Sequence, residues 1–154
     1  MADGSALPRT RLASLADLDA IAPLMDAYRQ FYERAPDLPR ARAFVAERMA
    51  RGECAVYVAL AENGDVVGFT LLYPTFTSVG AGRIFVLNDL FVAPAARGTR
   101  ASVALLEAAK AHARAAGALR LSLRTAHTNA RAQRVYERNG WQLETKFRSY
   151  DFPL

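Results

Sequence analysis

The chain has 154 residues, 52% of them hydrophobic, with a net charge of +5 and a mean hydropathy near zero. That balance suits one globular domain with a real core and excludes an intrinsically disordered chain. No run approaches the roughly 20 apolar residues of a membrane span, the opening MADGSALPRT lacks the apolar core and cleavage pattern of a secretory signal, and a lone Cys54 excludes an internal disulfide and fits a reducing cytoplasm.

In chain order, residues 1 to about 6 are expected to be a frayed tail. Arg9–Leu12 reads as a short strand. Ser14 is a good N-cap, with Asp17 placing negative charge in the first turn. Leu15, Leu18, Ile21, Leu24, Met25 and Tyr28 then follow helical spacing to about Tyr32. Pro36 and Pro39 are expected to break that helix, and Phe44, Val45 and Met49 to mark a second one ending near Gly52. Ala55–Leu60 is a strand, Asn63-Gly64 a hairpin turn, and Val66 to about Tyr73 the return strand, with Pro74 ending its regular pairing. Thr75–Gly82 reads as a polar connection carrying a bulge or a loop. Arg83–Val92 is the next strand, Thr99 or Arg100 to Ala115 a helix closed by Gly117, Ala118–Leu123 a strand and Asn129–Asn139 a helix stopped by Gly140. Trp141–Phe152 is a final extended segment. The order β-α-α-β-β-β-α-β-α-β predicts a single α/β domain of α+β, three-layer type, with one mixed sheet flanked by helices.

The stretch from Leu87 to Ala109 organises the rest. An apolar strand through Leu90, Phe91 and Val92 is stopped at Ala93-Pro94, and Arg97-Gly98-Thr99 supplies a basic loop before a helix. The first N–H groups of a helix have no internal partner, and its dipole favours negative charge there, so this is an anion-binding device suited to a pyrophosphate. Charge agrees in sign. Arg97 to Arg148 holds eleven basic residues against Glu107, Glu137 and Glu144, about +8, while the remainder is about −3. A solvated basic face accounts for the same run. The lack of a Lys-rich tract, zinc-ligand spacing or an aromatic ladder argues against a nucleic-acid binder.

From Ala55 to Phe152 the chain resembles the GNAT superfamily of N-acetyltransferases. The resemblance lies in Leu87-Asn-Asp-Leu-Phe-Val92, in Pro94-Ala-Ala-Arg97-Gly98, and in Asn129 followed by Val135-Tyr136-Glu-Arg-Asn-Gly140-Trp141, similar to the family's N…A…LYE..GF segment. It implies a GNAT-like fold with a mostly antiparallel sheet, acetyl-coenzyme A as donor and a primary amine as acceptor. The family's pyrophosphate loop has the form Q/R-x-x-G-x-G/A; here Arg97 matches, while Arg100 and Ser102 replace small residues. Glycine lets backbone approach phosphate unobstructed. Two outcomes stay open: Arg100 turns aside and adds a bond to phosphate, or it crowds the pocket. The cofactor set so implied is Leu90, Phe91, Val92, Arg97, Gly98, Thr99, Arg100, Ala101, Ser102, Asn129 and Arg138, the last chosen over Arg131 and Arg134.

Acetyl transfer needs a neutral amine, a donor to the carbonyl oxygen, an acid for the thiolate, and reactants held together. At the family's tyrosine position stands Tyr136, assigned the acid; a core tyrosine in an amphipathic helix explains the same pattern. A backbone N–H of Phe91 or Leu90 is the expected carbonyl donor. Asp89, lying in an otherwise apolar strand, is the leading general base, directly or through water, with a structural aspartate as the competing account. Tyr32 and Glu33 are placed at the acceptor mouth. His112 and His127, without metal-ligand spacing, give no metal site, and Cys54 lacks an activating partner. The resulting expectation is a cytoplasmic, acetyl-CoA-dependent N-acetyltransferase acting on a small-molecule amine by direct attack, with no nucleic-acid or membrane partner. Phe147, Tyr150 and Phe152 would offer an edge for a homodimer. A catalytically weak acyl-CoA-binding protein is the alternative.

Overall fold

The computed structural model describes residues 6–154; the frayed tail expected at the N-terminus lies, up to residue 5, outside the described residues. Two compact units divide the chain, one ending at Arg124 and one spanning Thr125–Leu154.

In the first unit the elements are β1 (Thr10–Leu12), α1 (Leu18–Phe31), α2 (Leu38–Ala50), β2 (Ala55–Leu60), β3 (Val66–Thr77), β4 (Gly82–Val92), α3 (Ala101–Ala115) and β5 (Leu121–Leu123). The five strands form one sheet in the order β1-β2-β3-β4-β5. β1 to β4 pair antiparallel and β5 joins β4 in parallel. This is the mixed, mostly antiparallel sheet that the sequence predicts.

Strand alternation sorts side chains between the two faces. Val56, Val58, Phe69, Leu71 and Phe91 meet Ile21 and Met25 of α1 and Ala41 and Val45 of α2 in one core cluster. On the other face Ala59 packs with Ala101 and Leu105 of α3, flanked by Tyr57, Val67, Leu90 and Val92. Phe69, Leu71, Leu105 and Ile21 are fully buried. Burying each such side chain contributes about 1.5–3 kcal/mol, so both helical layers are held by the sheet.

Three local expectations are corrected. Pro39 does not break a helix; it sits in the first turn of α2, after the N-cap Asp37, whose carboxylate accepts the Arg40 N–H at 3.1 Å. A proline is tolerated there because first-turn N–H groups have no intrahelical acceptor. Pro74 does not end pairing either: β3 runs on to Thr77, with Pro74 opposite Phe85. Beyond Leu72, β3 has no β2 partner, so a missing N–H is tolerated on that edge. The connection expected over Thr75–Gly82 shrinks to Ser78–Ala81, and the register shifts lie instead at Val67 of β3 and Asn88 of β4.

The link between α1 and α2 hangs on Asp26. This buried carboxylate accepts the Asp37 N–H at 2.9 Å, the Gln30 amide at 3.2 Å and the Arg29 guanidinium at 3.4 Å. It fixes the loop that begins with Tyr32 and Glu33.

The second unit holds α4 (Ala130–Arg138). Asn129 caps it by accepting the Ala132 N–H at 3.2 Å, and the Gln133 amide ties back to the carbonyls of Ala126 and His127 at 3.0 Å each. The strand expected after Trp141 is not formed. An extended segment becomes a strand only when a neighbour takes up its backbone groups, and the described residues of this unit contain no other strand. Leu143, Phe147, Tyr150 and Phe152 are exposed.

Asp26→Ala should cost about 1–3 kcal/mol, because it removes the charged acceptor shared by the Asp37 N–H, Gln30 and Arg29. Urea unfolding with an unchanged m-value and a lower midpoint checks this; an unshifted midpoint rejects the anchor.

Candidate active site

Two-for-one pairing in β4 builds the site. Leu71 faces Asp89 and Leu72 faces Leu87, so Asn88 is an extra residue with no counterpart on β3. Strict alternation would put Leu87 and Asp89 on one face. The inserted residue separates them. Leu87, opposite Leu72, stays on the α3 side, as does its neighbour Phe85, whose ring lies 5.1 Å from that of His112. Asp89, opposite Leu71, enters the α1–α2 side.

Past the bulge β4 keeps its β3 partner but loses β5, whose register ends at Leu87 with Leu123. Ala93 N–H donates to the Val67 carbonyl at 2.8 Å. Counting back by alternation, the Phe91 N–H points at β3, whereas those of Leu90 and Val92 point to the open edge. Gly68 lies opposite Val92, and a Cβ there would stand 2.9 Å from the Phe91 carbonyl oxygen, so only glycine lets β3 approach this strand end.

Asp89 is 5% exposed. The Asn88 side-chain amide donates to its Oδ1 at 3.1 Å, and the Tyr28 hydroxyl is a second partner. Burial pushes its carboxyl up to about 6, and the two hydrogen bonds, which favour the charged form, pull the other way without cancelling it. Its neighbours are shifted alike: burial raises Tyr73 to about 12 and the Cys54 thiol to about 11. Cys54 is therefore a neutral thiol near neutrality and no nucleophile.

After Val92 the chain turns through Pro94–Ala96. The Arg97 guanidinium lies over the Phe91 ring, 5.9 Å from its centroid, and the Thr99 hydroxyl donates to the Ala96 carbonyl at 2.6 Å. Gly98 has φ +87°, and a side chain added there would meet nothing within 4 Å. Arg100, the N-cap of α3, has φ +65°, a left-handed conformation costing a non-glycine residue about 1–2 kcal/mol. The Ala104 N–H donates to the Arg100 carbonyl at 3.0 Å. The N–H groups of Ala101, Ser102 and Val103 lie ahead of it and by helical geometry have no acceptor within α3. Ala101 is 2% exposed and packs beside Ala59, seating this helix start against the sheet. A diphosphate fits such an end: a positive dipole, forward N–H groups, open space at Gly98 and the Arg97 guanidinium beside it.

At the other side of Asp89, Tyr32 closes α1 and Glu33 follows at φ +61°. Tyr32 and Phe31 are about half exposed, and their rings meet edge-to-face at 5.2 Å. Tyr32 packs on Tyr28, also at 5.2 Å. Tyr28 in turn touches Phe69 and Phe91.

The first unit thus gathers Asp89, Leu90, Phe91 and Val92 with Tyr32 on one side and Arg97 on the other. Gly98 to Ser102 continue from Arg97. Tyr136, Asn129 and Arg138 belong to the second unit, all on or beside α4, where the Tyr136 ring lies 6.1 Å from that of Trp141. The Asn129 side-chain oxygen serves the helix cap. His112 accepts or donates through Nδ1 to the Tyr57 hydroxyl at 3.1 Å, and burial holds it below its usual range. Sequence reasoning missed Asn88 and Tyr28 as parts of the site. A bulge carries no residue signature of its own, and Tyr28 reads simply as one more apolar position on a helix.

The model of the acetyltransferase (GNAT) family matches residues 21–141. The chain is 48% identical over 140 residues to the uncharacterized N-acetyltransferase YhfO of Bacillus subtilis, covering 91% of this chain and 93% of that one. It is 30% identical over 138 residues to a probable acetyltransferase of Haemophilus influenzae, covering 90% and 92%. A crystal structure of a probable acetyltransferase superposes with a TM-score of 0.90 at 38% identity, over 95% of this chain and 97% of the other.

Asp89 gives a stability signature. Its folded value, about 6, lies above the ordinary 3.8, so the stabilisation belongs to the protonated form. It is full below about pH 4 and is lost as pH rises through 6, by about 3 kcal/mol in all. Asp89→Asn has no such loss, so its stability relative to wild type should climb between pH 4 and pH 7. Urea titrations across that range check it; a pH-independent difference rejects the buried acid.

Proposed function

The chain belongs to the acetyltransferase (GNAT) family, and from that premise we propose that it transfers an acetyl group from acetyl-coenzyme A to the primary amine of a small molecule, by direct attack in a ternary complex. The carrying observation is a buried carboxyl with a value near 6, next in sequence to a Leu90 N–H that faces an open strand edge. A base is most effective when its pKa lies near the working pH.

The thioester substrate supplies the activated acetyl group and the leaving sulfur. In this reading the neutral amine attacks the thioester carbonyl carbon. The C–N bond forms as the C–S bond breaks. The surplus amine proton passes to Asp89, directly or through a water. The Leu90 N–H donates to the carbonyl oxygen, where negative charge develops. Tyr136 gives its hydroxyl proton to the departing thiolate. Gly98, Thr99, Arg100, Ala101 and Ser102, with Arg97, grip the diphosphate. Leu90, Phe91 and Val92 hold the pantetheine arm as an added strand. Asn129 attends the same arm and Arg138 the nucleotide phosphates. Tyr32 and Glu33 receive the acceptor. The whole chain acts as one catalytic domain, in a reducing cytoplasm and as a homodimer that covers Phe147, Tyr150 and Phe152. The exposure of those rings supports the dimer.

Arg100 favours one of the two outcomes left open by the sequence. A side chain is kept in a left-handed conformation that glycine would adopt freely. Strain of this kind persists where function holds it, and we assign the guanidinium to phosphate. The departure from the family's loop is also what supports the alternative, an acyl-CoA-binding protein without turnover.

Two measurements decide. Asp89→Asn and Tyr136→Phe should each lower kcat by about 10²–10⁴ in a thiol-release assay over a panel of amines, with acetyl-CoA affinity by calorimetry nearly unchanged. Tight binding with no thiol release from the wild type on any amine leaves the non-catalytic alternative. Arg100→Gly should weaken acetyl-CoA binding about tenfold or more. Equal or tighter binding rejects that contact, and tighter binding shows that Arg100 crowds the loop.

A further inference from the structure

The bulge leaves Asn88 without a counterpart on β3. A carbonyl displaced from the ladder is free to take a side-chain donor, and Asn88 itself is exposed. That donor is the Tyr28 hydroxyl of α1, 3.3 Å from the Asn88 carbonyl oxygen. The same hydroxyl is a hydrogen-bond partner of the Asp89 carboxylate, whose Oδ1 also receives the Asn88 amide at 3.1 Å. One tyrosine oxygen therefore touches both the bulge and the residue that the bulge delivers.

The ring carrying that oxygen is held from three sides. Tyr32 lies edge-to-face at 5.2 Å, Phe91 at 6.2 Å and Phe69 at 6.4 Å. Phe69 is fully buried and pairs with Phe91 across β3 and β4. Edge-to-face contacts of this kind fix ring orientation as well as burying area. The hydroxyl is thus delivered to one point, set by the strands on one side and by α1 on the other.

Resting on the reading of Asp89 as the base, we propose that Tyr28 is a positioning residue of acyl transfer: its hydroxyl ties α1 to the Asn88–Asp89 bulge, through the Asp89 carboxylate or the Asn88 carbonyl, and so holds the carboxylate and the Leu90 N–H in fixed relation. The hydroxyl has a single proton. An ionised Asp89 is the stronger acceptor and draws it; once Asp89 has taken a proton, the hydroxyl turns to the Asn88 carbonyl. Tyr28 therefore stabilises the base in its active form and the bulge in the form that follows proton transfer. The other titratable groups about Asp89 are Tyr73 of β3 and Cys54 before β2, both neutral between pH 5 and pH 8, with the Arg48–Glu53 ion pair (2.7 Å) beyond them.

The test is a carboxyl-carbon NMR titration of the full chain, with the Asp89 signal assigned by its loss in Asp89→Asn, alongside the pH profile of kcat/KM. Tyr28→Phe keeps the ring and removes the hydroxyl. The Asp89 midpoint should rise by about one unit, the kinetic midpoint should rise with it, and kcat at pH 7 should fall about tenfold. Replacing Tyr28 by 3-fluorotyrosine keeps the shape and sharpens the donor, so both midpoints should fall; this second measurement serves if Tyr28→Phe folds poorly. Tyr73→Phe, a change beside Asp89 without that bond, should leave the carboxyl midpoint in place. A midpoint indifferent to both changes at position 28 overturns the proposal, whatever the activity. A carboxyl midpoint that moves while the kinetic profile stays put overturns the assignment of Asp89 as base, and with it the catalytic meaning of Tyr28, so the two failures are told apart.

Discussion

A β-strand has room for one residue per step, and at Asn88 this one takes two. Most of the site geometry follows from that surplus. It turns Asp89 toward α1 and α2 while leaving Leu87 on the α3 side, and it precedes the point where β4 loses β5 and its outer edge opens. Without the surplus, a carboxylate in this register would face α3. The strand end would still exist, with Leu90 next in sequence, but it would have no carboxyl buried beside it on the α1–α2 side.

That arrangement is energetically expensive, and two of its costs lie at the site. Asp89 is kept out of water with hydrogen bonds that do not fully offset its desolvation. Arg100 is kept in a conformation that favours glycine. Against about 3 kcal/mol for the first and 1–2 for the second, the sheet sets two cores in which Ile21, Val45, Val58, Phe69, Leu71 and Leu105 are completely buried. Local strain of this kind persists because the surrounding packed scaffold over-determines it.

The sequence made the scaffold legible because its signals are local. Asn63-Gly64 marks a hairpin and Gly64 has the positive φ such a turn demands. The apolar run into Pro94 marks β4, and helical periodicity marks α1 and α3. What was hidden depends on partners distant in sequence. Pro39 and Pro74 read as breakers because their context, a helix's first turn and an unpaired strand edge, is tertiary. The last strand was expected from the extended reading of Trp141–Phe152, yet a segment's suitability for pairing does not supply the neighbour. Asp89 stood out as a lone acid among apolar residues, but its side of the sheet turned on a bulge that no residue type announces. Tyr28 and Asp26 were invisible for the same reason: each acts on backbone far along the chain, at Asn88 and Asp37.

Because the position of Asp89 rests on a count and not on a chemical identity, it answers differently to different kinds of genetic change. Replacing one amino acid by another in β4 alters what a position does while leaving its side of the sheet intact. Losing or gaining a single codon between Leu87 and Leu90 reverses the parity of everything on one flank of the event. Length through this segment is thus a tighter constraint on the side Asp89 faces than the identity of the residues around it.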